Sequence, residues 1–499
     1  MCRWIKACEI IKQNGLPCGD EIKNYGVYPK SVNLYQGSYV FTAKDESDKK
    51  LVILGKGPAF SLFIGDVLPI EEDIKVCDFT HENCNVLRDI FPFTAPIPVL
   101  RCKTTIGLGD RLGVATPGHI RTVQGNDVKP ILAQQSMREL KLTGRTYFDV
   151  LDDVTKAVFQ EGYTGGFGAD GDHLKTIEEV DMALLSGFTM ITLDCSEHIN
   201  NGVTSMSEDE VHCEYDRLAD RRYESMYLNK DFVINEEISV RFNIIELKKI
   251  VLTFKDAIKH AADIYHIKIK TSAKNVDFEI SVDEALTPTS PAAHYFITSE
   301  LRALGVDFAT LAPGFCGEFQ KGIDYIGDIK KFEEEFTIHA AIAKSFGYKI
   351  SIHSGSDKFS VFPIIGKETS GVFHVKTAGT NWLEAVRVVA EKDPKLYRTI
   401  HKYALNVLND AKKYYHIGAK VSNIPSVDDL KDEQLPYLMD KNDSRQVIHI
   451  TYGLILQAKD VDGGYIFRDK IFEVLNEYEE DYYNALQNHI GKHLKGLCI

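Results

Sequence analysis

No stretch of this 499-residue chain approaches the ~20 consecutive apolar residues of a membrane-spanning helix. Its start also lacks an export signal: Arg3, Lys6, Glu9 and Lys12 interrupt any apolar segment. Ten cysteines are scattered at positions 2, 8, 18, 77, 84, 102, 195, 213, 316 and 498, with no C-x-x-C pair or zinc-ribbon spacing. They read as reduced thiols of a cytoplasmic protein rather than a disulfide framework. Nor is there an excess of positive charge. Lys plus Arg is 58 against 72 Asp plus Glu, a net charge of -14. Such a chain has no general attraction to nucleic acid or anionic lipid, and an anionic substrate would need positive charge gathered in one pocket. Nucleotide and hydrolase motifs are missing too. There is no G-x-x-x-x-G-K-[ST] loop and no H-E-x-x-H. Ser354-Gly-Ser356 lacks the nucleophile-elbow spacing. The glycines of Gly162–Gly168 do not follow a strand and open a helix as a dinucleotide fingerprint must, so no NAD is expected.

What is present is a strand-and-helix alternation. Residues 1–95 read as a small α/β cap module, with Leu51–Lys56 and Ser61–Asp66 as short strands. From there, apolar runs end in polar clusters and are followed by helical segments. The runs close at 107–111, 133–136, 167–173, 192–198, 279–284, 309–314, 349–353 and 373–377, which makes eight. Val150, Val154, Ala157 and Val158 show the helical spacing of the intervening segments. Each parallel strand needs a crossover, so eight steps predict an α/β fold, a closed (β/α)8 TIM barrel over 96–390, with an open doubly wound sheet as the alternative. A long insertion at 199–275 carries a hairpin over 232–242 and a helix over 247–264. Residues 391–499 read as a helical extension packed on the barrel.

Barrel enzymes place their chemistry at the carboxyl ends of the strands, and here those ends are polar. Strand periodicity turns Glu279, Ser281 and Asp283 inward, and likewise Lys349, Ser351, His353, His374 and Lys376. Buried charges must pair or bind a metal. Glu279, Lys349 and His374 fit a lower salt-bridged layer best. Asp172, His173, Asp283, Glu284, His353 and Lys376 fit a site best. Histidine nitrogen mixed with carboxylate oxygen suits a divalent ion such as Zn, Mn, Fe or Ni, and His173, Asp283 and His353 are the leading ligand set. A Schiff base on Lys376, making a metal-independent aldolase, is a rival reading. A non-catalytic sugar-binding barrel is another.

Specific blocks also carry a resemblance. Gly107-Leu-Gly-Asp-Arg-Leu-Gly113, Ala133-Gln-Gln-Ser136, Phe167-Gly-Ala-Asp-Gly-Asp-His173, Ser281-Val-Asp-Glu284, Lys349-Ile-Ser-Ile-His-Ser-Gly-Ser-Asp-Lys-Phe-Ser360 and Phe373-His-Val-Lys-Thr-Ala-Gly-Thr380 are similar to the tagaturonate epimerase family. The match runs from about residue 75 into the C-terminal helices and departs from the expected alanine at Gly118 and Gly171. The resemblance implies an isomerase that interconverts tagaturonate and fructuronate, or the neutral pair tagatose and fructose, with a divalent metal. The epimerised carbon is β to the ketone, so its deprotonation gives no stabilised carbanion. Retro-aldol cleavage and re-addition is the expected route, and transient oxidation the alternative. In the former, Asp172 or Glu284 is the proton acceptor and Lys376 the oxyanion stabiliser. Arg111 or Lys358 is expected to hold the substrate carboxylate. Gln134, Gln135 and Ser136 are expected on sugar hydroxyls, with Asp110, Ser354 and Asp357 completing the substrate-binding set. The expected partner is a small ketouronate or ketose, in a protein that can form a homo-oligomer.

Overall fold

Alternation of apolar and polar residues builds the centre of the molecule. In the computed structural model, eight parallel strands close into a barrel in chain order: β1 Thr104–Leu108, β2 Lys129–Ser136, β3 Gly168–Leu174, β4 Met190–Asp194, β5 Asp277–Ser281, β6 Thr310–Ala312, β7 Lys349–Ile352 and β8 Phe373–Thr377. The structure describes residues 3–17, 19–45, 48–69, 71–218 and 220–499. Phe278, Ile280, Ile350, Ile352, Phe373 and Val375 are fully buried members of the main apolar core. Burying such a side chain contributes roughly 1.5–3 kcal/mol, which sets the register of each strand and sends Glu279, Ser351, His374 and Lys376 to the barrel axis. Ile280→Ala is the kind of single change that would open this layer, at a cost of about 2–5 kcal/mol. The closed parallel sheet with its surrounding helices is a (β/α)8 barrel.

Local signals decide where the strands hand over to helices. Ser136 ends β2 and caps the helix Met137–Thr143 in a reciprocal pair with Glu139. That cap fixes Arg138 and Glu139 in a first turn at the barrel mouth. Register shifts interrupt β3 between Gly171 and Leu174, and His173 there has φ +54°. The irregularity turns its side chain toward the mouth.

An antiparallel sheet precedes the barrel, ordered Asn33–Tyr35, Ser38–Asp45, Asp48–Leu54, Ile74–Cys77 and Asp66–Val67. The strand expected at 61–66 is corrected: Pro58 opens a short helix, Pro58–Leu62, and only Asp66–Val67 pair. Between β4 and β5 lie the paired segments Phe232–Val233 and Ser239–Val240 and the helix Ile244–Ile264.

Two late helices complete the surroundings of the site. Asn442–Gln457 brings Arg445, His449 and Tyr452 toward the barrel mouth. Glu479–Gly496 packs on Thr116–Val123. At that crossing a Cβ on Gly118 would stand 2.8 Å from Leu486, so the glycine permits the close approach. Eight described cysteines are free thiols, while Cys2 and Cys18 lie outside the described residues. Among the described residues no helix is long and apolar enough to cross a membrane.

Candidate active site

One lysine organises the axis of the barrel. Lys376 Nζ, from β8, lies 2.8 Å from Asp170, 2.6 Å from Asp172 and 2.8 Å from Glu279. Burial alone would lower its pKa, but the three carboxylates outweigh it and hold the group well above its ordinary value. Lys376 is therefore a fixed ammonium, whereas a Schiff-base lysine needs a lowered pKa. Burial pushes Asp170 up to about 7. Against the same burial, His173 and Lys376 keep Asp172 well below the usual carboxylate range. Glu279 lies in the lower layer, level with Thr310 and Lys349, and also pairs upward with Lys376 and His353. Lys349 and His374 also occupy that layer, both bound to Thr105. Burial brings Lys349 down to about 7 and His374 to about 3.

Above this network stand His173, Asp283 and His353, with one donor atom each within 4.8 Å of the others. The two imidazole rings are 4.9 Å apart between centroids. His173 Nδ1 pairs with Asp172 Oδ1 at 2.8 Å, and His353 Nε2 with Glu279 Oε1 at 2.8 Å. A carboxylate thus orients one nitrogen of each ring and leaves the other for a ligand, the arrangement that supports metal-binding histidines. His353 Nδ1 is buried and lies 3.2 Å from Asp283 Oδ1 without making a hydrogen bond. An orphaned imidazole nitrogen beside a carboxylate and a second imidazole fits a divalent ion of the Zn, Mn, Fe or Ni type. Burial opposes the charge of His353, but Asp283 and Glu279 overcome it and raise its pKa to about 10.

A cavity at the carboxyl ends of the strands joins these groups to Arg111, Gln134, Ser136, Glu284 and Ser354. Arg111 Nε binds Glu139 at 2.9 Å, and its guanidinium lies 4.0 Å from the Tyr452 ring centroid, so its charge is already matched; its buried Nη1 has no hydrogen-bond partner among the described residues.

Four residues expected at the substrate lie outside the lining of this cavity. Lys358 sends its three N–H donors to the carbonyls of Gln320, Ile323 and Ser356 and does not line the cavity. Asp357 binds Arg445, His489 and the His493 side of the last helix. Asp110 accepts from the backbone of Leu112, Gly113, Ala115 and Thr116, stapling its own loop. Gln135 alternates to the strand face opposite Gln134, outside the cavity lining.

The cavity also holds residues that strand periodicity does not reveal: Arg138, Lys321, Tyr415 and His449. His449 is buried with neither ring nitrogen hydrogen-bonded among the described residues, and Gly379 leaves it room, since a Cβ there would sit 1.8 Å from its Cε1. Asp357, His489 and His493 form a second cluster of metal-ligand type. Its nitrogens are engaged: His489 lies between Asp357 and Glu384, and His493 Nε2 accepts from the Asp357 amide. With Arg445 on Asp357, this is a charge-balanced clamp on the last helix.

A (β/α)8 barrel whose mouth unites a fixed ammonium, several carboxylates, oriented imidazoles and a polar cavity is the framework of an enzyme for a small, polar, carbonyl-bearing substrate. Comparison with known proteins narrows the class. The family model for tagaturonate epimerase matches residues 28–497. The chain is 43% identical over 475 residues to the tagaturonate/fructuronate epimerase of Thermotoga maritima, covering 95% of this chain and 97% of that protein. Crystal structures of the fructuronate-tagaturonate epimerase of Cohnella laeviribosi superpose with TM-scores of 0.94 (glycerol complex, 51% identity) and 0.93 (native, 50%), covering 99% of both chains. The chain belongs to the tagaturonate epimerase family, and it is an isomerase.

Proposed function

We propose that this protein interconverts tagaturonate and fructuronate by inverting the hydroxyl-bearing carbon C4, with a divalent ion held by His173, Asp283 and His353. The family membership supports the substrate pair. The observation that carries the site is the pair of histidines, each oriented by a carboxylate, meeting Asp283 in the cavity. When bound, the ion supplies Lewis-acid polarisation of the ketone. The chain's own residues do the rest. A carboxylate takes the proton of the C4 hydroxyl; the C3–C4 bond breaks, its electron pair remains on the ketone fragment, and C4 becomes an aldehyde. The aldehyde turns, the bond re-forms on its other face, and the proton returns.

Asp172 and Glu284 are the candidates for that base. Glu284 lines the cavity and makes no hydrogen bond or ion pair among the described residues, so its oxygens are free. Asp172 is committed to Lys376 and His173. Lys376 stabilises the developing oxyanion charge. Gln134, Ser136 and Ser354 hydrogen-bond the sugar hydroxyls. The reaction needs a small ketouronate in the cytoplasm and neither nucleic acid nor a membrane. The fixed positive charge on Lys376 argues against the lysine-dependent aldolase reading.

An assay of tagaturonate, fructuronate, tagatose and fructose side by side tests the proposal. Protein stripped by a chelator should lose epimerase activity and regain it with Zn, Mn, Fe or Ni. Full activity in the stripped protein, or turnover of the neutral pair alone, contradicts it.

A further inference from the structure

The charged groups around the cavity are not equally satisfied. Lys376 faces three carboxylates, Arg111 faces Glu139, and Arg445 faces Asp357. Lys358 has a carbonyl for each N–H. Lys321 is different. Its ammonium lines the cavity, and its one recorded partner is the Ser354 hydroxyl, at 2.6 Å. Among the described residues no carboxylate oxygen lies within 4.0 Å of it. Arg138, at the rim of the same cavity, is also without a carboxylate and rests over the Tyr415 ring at 4.6 Å.

Holding a half-buried ammonium without an ion pair is unfavourable. Burial and the nearby cations Arg138 and Arg111 push the Lys321 pKa down, against the weaker pull of Glu284 and Asp283. The fold nevertheless holds this group in place. Lys358 donates to the carbonyls on both sides of its turn, at Gln320 and Ile323. Arg445 Nε donates to Gly322 O at 2.8 Å. Gln320 is itself tied to the Gly418 amide and to Gln446. A turn braced from three directions presents a cation that, among the described residues, has no carboxylate in direct contact, with Glu284 and Asp283 acting on it only from further across the cavity. Ser354, which receives its hydrogen bond, directly follows His353 in the metal-type trio, so an anion on Lys321 and a ketone at the trio would belong to one short molecule.

We infer that Lys321, assisted by Arg138 at the rim, is the receptor for the substrate's carboxylate and so sets the preference for a ketouronate over a neutral ketose. Lys358 acts through it as a positioning residue. This inference rests on the uronate epimerase reading, and its test is read by binding, without turnover, so that the two can fail separately.

The experiment is calorimetric titration of the full-length protein with two inert ligands, galactonate and galactitol. The wild type should bind galactonate on the order of 10²-fold more tightly, as expected for a charge pair withdrawn from water. Lys321→Met should bring that preference within about threefold while galactitol affinity holds, and Lys321→Arg should restore part of it. Thermal unfolding adds a reading that a structural lysine would not give. Removal of a half-buried charge that has no ion-pair partner should leave Tm unchanged or raise it. A wild type that does not prefer the anion, a preference that survives in Lys321→Met, or equal weakening of both ligands overturns the inference. If the anion preference follows Lys321 but the wild type turns over no uronate, the receptor stands and the epimerase reading falls.

Discussion

Lys376 Nζ stands 2.6 Å from Asp172 Oδ1, an ion pair drawn across the barrel between the eighth strand and the third. The same ammonium neutralises Asp170 and Glu279. Lys376→Met would leave three buried carboxylates without their common counter-charge. We expect stability to fall by about 3–5 kcal/mol, seen as a lower denaturant midpoint, together with loss of turnover. A variant as stable as the wild type would show that the carboxylates find other partners.

Glu284 and Asp172 should separate by kinetics. If Glu284 carries the C4 hydroxyl proton, Glu284→Gln should lower kcat by ~10²–10⁴-fold and leave the metal content of the purified protein intact. Asp172→Asn should affect metal content as well, because Asp172 orients His173. Loss of activity confined to Asp172→Asn, with metal retained, would move the base to Asp172.

The barrel was readable because its strands alternate strictly: Phe278, Ile280 and Val282 are buried on one face while Glu279 and Ser281 turn to the other. Height within the barrel was harder to read. Glu279 sits low in β5, yet the long side chain of Lys376 reaches down to it, so position along a strand did not reveal the partner. The placement of Lys358 was hard to read for a related reason: a lysine in a polar, glycine-containing block reads as a ligand contact, whereas the structure has it capping the carbonyls of a neighbouring loop. Lys321 and His449 had no sequence signal at all. One lies in an irregular loop and the other within an apolar helix, and only tertiary packing carries them to the mouth. At Ser61 the apolar run reads as a strand, but Pro58, with its fixed φ, opens a helix there instead.

His489 makes the docking of the last helix depend on pH. Burial opposes its charge, but Asp357 and Glu384 raise its pKa to about 9, above the ~6.5 of an unfolded chain. A raised folded-state pKa gives stability that is fully present below pH ~6.5 and is lost as pH rises through about 9. The contribution is on the order of 3 kcal/mol. Unfolding free energies of wild type and His489→Gln should therefore differ most near pH 6 and converge near pH 10. A difference independent of pH would mean that the imidazole stays neutral.

Arg111 tests the distinction between a matched and an unmatched cation. Arg111→Met would strand Glu139 in the interior, so it should cost about 3–5 kcal/mol of stability and impair uronate and neutral ligands together. Selective loss of the uronate, with stability kept, would transfer the carboxylate receptor from Lys321 to Arg111.

Proton NMR of tagaturonate incubated with the metal-loaded protein in deuterated water separates cleavage and re-addition at C4 from the other routes to inversion. Fructuronate should appear with its C4 hydrogen retained, because that carbon keeps its hydrogen throughout, and with no nicotinamide released on denaturing the same sample. Deuterium at C4 of the product, or retention accompanied by a stoichiometric bound nicotinamide, would contradict the account.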